Sequence, residues 1–291
     1  MTTHVPVLPA GVLHYLAPQP GKTIVDGTLG GAGHTRMIAE AVGDAGQVLA
    51  FDRDPAALDA AEQVLRGLPI KLVHSNYCEL KSVLAQLNIE AVDGVLLDLG
   101  LSSDQLADRE RGFSFESEGP LDLRFDTTEG EPTWRWLGRV REAELADIIY
   151  RYGEERYSRR IAKKIVEARA EKPLKTAQEL AQLVRRSVPR SPHERIDPAT
   201  RTFQALRIAA NDELGSLEKL LRDLPGCLRA GGRAVIISFH SLEDRLVKEA
   251  FRDTSRYETL TKKPIMAGDH EVAQNPRSRS AKLRAVRRVV D

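Results

Sequence analysis

The chain has 291 residues, 42% of them apolar and 29% charged, with a net charge of +1. That balance excludes an intrinsically disordered chain and fits about two globular domains. No apolar run approaches the ~18 residues that span a membrane, and the stretch MTTHVPVLPAG lacks the basic and apolar regions of a secretion signal. The two cysteines, Cys78 and Cys227, form neither a zinc spacing nor a disulfide framework. The expectation is therefore a cytoplasmic protein with reduced thiols, no bound metal and no membrane partner; oligomeric state is left open.

The near-neutral total conceals strong local blocks. Residues 104–131 carry nine acids against three bases, and residues 151–207 carry fifteen bases against seven acids. Residues 276–290 carry six bases and no acid. Such basic blocks read two ways: as a surface for a polyanion, or as solvated helix faces laced with ion pairs.

In chain order, Thr23–Asp26 reads as a strand, Gly33–Val42 as a helix and Gln47–Asp52 as a second strand. A helix over 55–65 follows, opened by Asp54 as N-cap and Pro55 at the first helical position. Ile70–His74 is a strand, 79–87 a helix and 92–99 a fourth strand. Short apolar strands separated by helices predict a parallel sheet covered on both faces. The rhythm stops at 102–131, which is acidic and aperiodic, and from Thr133 to Val188 the pattern is helical. Thr176 and Glu179 make a capping box. Residues 189–198 form a proline-rich loop, and 200–224 reads as one long helix, bent near Gly215. A Gly231-Gly232 turn leads into a fifth strand over 233–238. Ser241 caps the next helix, and 257–261 and 283–289 are the last strands, joined by a loop. The reading is an α/β domain over 1–105 and 200–291, with an inserted helical domain over 106–199.

Four motifs carry chemistry. In the first, spanning 26–34, a strand ends in Asp26 and a glycine-rich turn with Gly31 and Gly33 opens a helix. Free N–H groups at such a turn favour a carboxylate or phosphate, although ordinary tight turns look alike. The second is Asp52, an acid at the next strand end that can accept both hydroxyls of a ribose. The dinucleotide spacing fails in 31–36, where Arg36 stands in place of the last glycine. Asp26, expected to face the pocket, repels a pyrophosphate but favours the ammonium and sulfonium of S-adenosylmethionine. The third motif, 97–105, sets Asp98 and Ser102 at the sheet's carboxyl edge. There Asp98, or the carbonyls after it, can accept hydrogens from a poorly nucleophilic exocyclic amine; helix capping or ligand binding without chemistry are the alternatives. The fourth, 228–241, brings His240 to the same edge, either as a substrate contact or as a structural histidine. Asp98, Ser102 and His240 form the candidate catalytic set.

These blocks resemble the bacterial 16S ribosomal RNA (cytosine-N4)-methyltransferases, in order and over nearly the whole chain. The resemblance runs from His4-Val5-Pro6-Val7-Leu8 through 26–34, 51–54 and 98–105. It continues through 111–115, Gly119-Pro120-Leu121-Asp122-Leu123-Arg124 and Asn211-Asp212-Glu213-Leu214, and ends in 238–245 and 275–284. It implies a class I (Rossmann-like) S-adenosylmethionine-dependent methyltransferase sheet with an inserted all-helical substrate domain. It also implies methyl transfer to N4 of a decoding-centre cytosine in assembled or nearly assembled small subunits. Donor-binding positions carry over to Ala32, Gly33, His34, Asp52, Asp98 and Gln105, with Tyr77 as the aromatic after the third strand. Ala32 departs from the glycine of many members. On this reading the basic helices and the arginine-rich end grip RNA phosphates. The rival readings are a nicotinamide-dependent oxidoreductase, a non-catalytic RNA-binding assembly factor, and a methyltransferase acting on DNA or on adenine N6.

Overall fold

A computed structural model of the chain describes residues 5–189 and 196–289. His4 and most of the proline-rich loop read at 189–198 lie outside the described residues. The elements in chain order are α1 (Pro9–Leu16), β1 (Thr23–Asp26), α2 (Gly33–Val42), β2 (Gln47–Asp52), α3 (Pro55–Val64), β3 (Ile70–His74), α4 (Leu80–Gln86) and β4 (Val92–Asp98). Next come α5 (Ser103–Ala107), α6 (Thr133–Leu137), α7 (Glu142–Gly153), α8 (Ser158–Glu171), α9 (Ala177–Ser187) and α10 (Ala199–Asn211). The chain finishes with α11 (Glu213–Cys227), β5 (Leu228–Ser238), α12 (Ser241–Ala250), β6 (Tyr257–Thr259), α13 (Asp269–Gln274) and β7 (Lys282–Arg288). Two compact units result: residues 1–102 with 214–291, and residues 103–213.

The first unit holds a seven-stranded sheet in the order β3-β2-β1-β4-β5-β7-β6. Strands β1 to β5 are parallel, while β7 runs antiparallel to both β5 and β6. Alternate residues of each strand serve opposite faces. Val25, Leu49, Phe51, Val95, Leu97 and Ile236 face a core completed by Leu80, Leu84, Leu217, Leu220, Leu224 and Val247 of α4, α11 and α12. Ile24, Val48, Leu96, Val235 and Ile237 face the other, with Val12 and Leu16 of α1 and Ile38 and Val42 of α2. Burial on both sides explains the continuous apolar runs. The strand order reverses between β1 and β4, and a doubly wound sheet binds ligands at the carboxyl edge beside such a reversal.

The second unit is helical. Leu145 and Ile149 of α7, Ile161 and Ile165 of α8, Leu180 and Val184 of α9, and Phe203 and Leu206 of α10 are all buried. Gly153 lets α7 and α10 approach, since a Cβ there would lie 2.4 Å from the Arg201 carbonyl oxygen. The acidic segment is ordered against this unit. Asn211 Nδ2 donates to the Leu123 carbonyl at 2.6 Å, and its Oδ1 accepts from the Phe125 N–H at 2.7 Å. Arg111 donates to the Arg124 and Phe125 carbonyls.

Three sequence expectations change. Residues 200–224 are two helices, not one, because Asp212 adopts a left-handed conformation (φ 47°) that ends α10. Helix α10 belongs with α7 and α9 in the second unit instead of with the sheet. Residues 231–232 lie within β5, with a register shift opposite Val92 and Gly94, and α13 occupies part of the predicted loop before β7.

Candidate active site

Four strands of the first unit end on one edge, with Asp26, Asp52, His74 and Asp98 closing β1, β2, β3 and β4. The loop after β1 is held from within. Gly27 N–H donates to the Leu96 carbonyl, Leu29 N–H to the Phe51 carbonyl and Ala32 N–H to the Leu29 carbonyl. Thr28 N–H donates to Asp26 Oδ1 at 3.1 Å and Gly30 N–H to Asp52 Oδ2 at 2.9 Å. Gly27 is required here because a Cβ would meet Leu97 Cδ2 at 2.4 Å and Tyr77 Cβ at 3.1 Å. Ala32 takes a left-handed conformation (φ 62°), which explains why glycine suits that position. Helix α2 then begins with no capping side chain. Its first-turn N–H groups, on Gly33, His34 and Thr35, have no intrahelical acceptor and are available to an anion.

Asp26, read from sequence as a pocket-facing acid, is bonded to the hydroxyls and backbone of its own loop and helix. It is fully buried, with Oδ2 accepting from Thr35 Oγ1 at 2.7 Å and Oδ1 from Thr28. Burial raises its pKa, opposed by His34, Thr35 and Thr28. It shapes the loop from beneath. The signal for this lay in Thr28 and Thr35, whose hydroxyls the sequence reading passed over.

Asp52 accepts from Gly30 N–H and from Asp54 N–H at 2.9 Å each. Arg53 N–H is a third backbone donor, and since a carboxylate offers about four lone-pair directions, about one remains for a ribose hydroxyl. Burial pushes its carboxyl up to about 6, against the backbone N–H groups of Asp54, Gly30 and Arg53. Tyr77 follows β3 in a short 3-10 turn capped by Asn76, and with Gly27, Phe51, Leu80 and Leu97 it lines a small apolar packing gap with no room for a water molecule.

Asp98 is the most loaded residue of the edge. Its N–H donates to Thr28 Oγ1 at 2.6 Å, which ties β4 to the loop. Its Oδ1 is buried with no hydrogen-bond partner among the described residues. Its Oδ2 lies 3.6 Å from His34 Nδ1. His34 Nε2 sits 2.8 Å from the Val7 carbonyl and so carries a proton that it donates there, which turns Nδ1 toward Asp98. Burial pushes the Asp98 carboxyl up to about 6; His34 and Arg277 pull it down, while Asp26 and Glu243 push it further up.

His240 is the N-cap of α12, the role expected of Ser241. Its Nδ1 accepts from Glu243 N–H at 3.4 Å, and Glu243 returns the bond to the His240 and Phe239 N–H groups. Glu243 was not singled out from sequence, although His-x-x-Glu has capping-box spacing. Ser102 packs beside the loop, 3.7 Å from where a Gly30 Cβ would lie. Gly31 lies in the turn before α2, and Gln105 sits on α5 in the second unit.

Four of the six bases in the predicted basic end are drawn into the fold. Residues 282–288 form β7, and its charges are committed to the fold. Arg284 pairs with Asp244 at 2.7 Å, Lys282 reaches the same carboxylate, Arg287 pairs with Glu258, and Arg288 donates to the Leu228 carbonyl. In the helical unit, Arg159, Arg160, Lys163 and Lys164 stand exposed on α8, with Glu167 the acid beside the two lysines.

The sheet order and the loop after β1 define the class: an α/β, Rossmann-like class I methyltransferase. The chain belongs to the MraW methylase family, whose model matches residues 1–289. A protein named ribosomal RNA small subunit methyltransferase H from Geobacter sulfurreducens is 50% identical over 99% of both chains. Its namesake from Rhodopirellula baltica is 52% identical over 99% of this chain and 92% of its own. A crystal structure of an rRNA methylase from Streptococcus thermophilus aligns with 97% of this chain and 94% of its own, at 12% identity and a TM-score of 0.42. The methyl donor of this class is S-adenosylmethionine, and the residues present fit it. An uncapped helix turn suits its carboxylate, Asp52 keeps about one lone-pair direction free, and a buried carboxylate oxygen of Asp98 lacks a partner. No described helix is long and apolar enough to cross a membrane.

Proposed function

We propose that the chain transfers a methyl group from S-adenosylmethionine to N4 of a decoding-centre cytosine in the 16S rRNA of the small ribosomal subunit. The observation that carries this reading is Asp98: an acid at the strand reversal, next to the donor loop, with one buried oxygen unpaired. The name borne by relatives about half identical over 99% of this chain supports the ribosomal target. The resemblance of 119–124, 238–245 and 275–284 to the cytosine-N4 family supports the base and the atom.

S-adenosylmethionine supplies an electrophilic methyl carbon on a sulfonium. The first turn of α2 would hold its carboxylate, Asp52 a ribose hydroxyl, and the apolar residues around Tyr77 its adenine. Cytosine N4 is a weak nucleophile because its lone pair is delocalised into the ring. Asp98 Oδ1 would accept a hydrogen bond from this amine, which localises the lone pair, and take the amine proton as the N–C bond forms and the methyl carbon–sulfur bond breaks, its electron pair staying on sulfur as a neutral thioether. A carboxyl near pH 6 is ionised at neutral pH yet basic enough for the task. The base leaves its stack at a cost of a few kcal/mol, which RNA binding offsets. The exposed bases of α8 supply phosphate contacts.

The test is tritium transfer from labelled donor to undermethylated small subunits. Label in 16S rRNA, abolished by Asp98→Ala, is the expected result. Donor binding without labelled rRNA overturns the reading, and near-normal turnover by the variant removes Asp98 from the chemistry.

A further inference from the structure

The chemistry above uses Asp98 and leaves His240 without a task beyond capping. The two residues follow neighbouring parallel strands, with Asp98 in register with Ile237 and Leu99 N–H bonded to the Ile237 carbonyl at 3.0 Å. The His240 side chain is only 10% exposed. Its Nδ1 accepts the Glu243 N–H, so the neutral ring carries its proton on Nε2. That Nε2 is buried and has no hydrogen-bond partner among the described residues. Glu243 Oε1 lies 3.1 Å away but off the N–H axis, so it attracts the ring without satisfying the donor.

The edge thus carries two unsatisfied buried groups: a donor at His240 Nε2 and an acceptor at Asp98 Oδ1. Asp98 is the register partner of Ile237, and His240 follows Ile237 by three residues, so both groups belong to the same carboxyl edge of neighbouring strands. Each orphan destabilises the fold unless a ligand meets it. A ligand that meets both offers an N–H beside a lone pair. Cytosine does so, with N4–H next to N3. Uracil offers the reverse, O4 next to N3–H, and so sets acceptor against acceptor and donor against donor.

We propose that His240 is a specificity-determining residue, its Nε2–H donating to N3 of the target cytosine while Asp98 Oδ1 accepts from N4–H. This rests on the cytosine-N4 reading above. The capping box is then the device that fixes the tautomer: by occupying Nδ1, Glu243 forces the proton onto the atom that reads the base.

The test is a double cycle in kcat/KM. Wild type and His240→Ser each methylate small subunits whose target carries either cytidine or 3-deazacytidine, in which a C–H replaces N3. Serine is a good N-cap, so α12 is retained while the ring donor is lost; His240→Asn, also a good cap, is the second variant. Unchanged melting temperature and donor Kd certify each variant. The altered amine reactivity of the analogue is common to all enzymes and cancels. The expected result is a coupling of about fivefold to tenfold between His240 and N3, with both variants losing rate on cytidine but not beyond wild type on the analogue. Equal losses on both substrates, or none, overturn the proposal. Absence of wild-type transfer to cytidine subunits instead sinks the reading on which it rests.

Discussion

Replacing Asp98 by Asn removes a charge that the fold holds at a cost. The carboxyl titrates near 6 in the folded chain against an ordinary 3.8, chiefly because it is buried. The folded state therefore binds this proton more tightly than the unfolded one. Stability from this group is fully present below pH 3.8 and is lost as pH rises through 6. At ~1.4 kcal/mol per pH unit, the gap costs about 3 kcal/mol above pH 7. The side chain is 16% exposed, so solvent screening trims this figure only modestly. Asn cannot ionise and escapes the penalty. Urea unfolding is the assay, followed by circular dichroism at pH 8 and at pH 4. Asp98→Asn is expected to be the more stable protein at pH 8 by up to about 3 kcal/mol, with the advantage gone near pH 4. Its turnover is expected to fall at least ~100-fold, because an amide cannot take the amine proton. Equal stability at pH 8, or an advantage that persists in acid, refutes the burial argument.

Other consequences follow from the same edge. The Asp52 carboxyl also titrates near 6, so donor affinity measured by calorimetry should weaken about tenfold between pH 7.5 and 5; Asp52→Asn should bind weakly and lose that dependence. Gly27→Ala drives a methyl into Leu97 and Tyr77, and is expected to cost about 1–3 kcal/mol and weaken donor binding; a neutral effect in thermal melts contradicts the close packing. Neutralising Arg159, Arg160, Lys163 and Lys164 to Gln should flatten the salt dependence of small-subunit binding, by ~0.7–0.9 in log–log slope for each RNA phosphate no longer neutralised. Arg284→Ala should instead lower the melting temperature and leave that slope unchanged, since its partner is Asp244.

Local chemistry made most of the sheet legible. Asp54 and Pro55 announced α3, Thr176 and Glu179 announced α9, and runs such as VLLDL announced buried strands. What escaped depended on partners distant in sequence. The bases of β7 look like a polyanion site until Asp244 and Glu258 are found across the fold. The bonds from Thr28 and Thr35 to Asp26 were not read from sequence, because a hydroxyl's target depends on how the loop and helix fold around it. His240 escaped as a cap because histidine is not among the usual N-cap residues, and the adjacent Ser241 is. The helix break at Asp212 was masked by apolar periodicity that continues through it. At the candidate site, the strand-end positions of Asp52 and Asp98 were readable from sequence; the unpaired oxygen of Asp98 and the tautomer of His240 required coordinates.

The most direct measurement is nucleoside analysis by mass spectrometry of 16S rRNA from small subunits incubated with this protein and donor carrying a deuterated methyl group. Deuterated N4-methylcytidine at one cytosine, absent with Asp98→Ala, is the predicted result. A deuterated methyl on another atom or another base, or an unlabelled rRNA despite donor binding, contradicts the account.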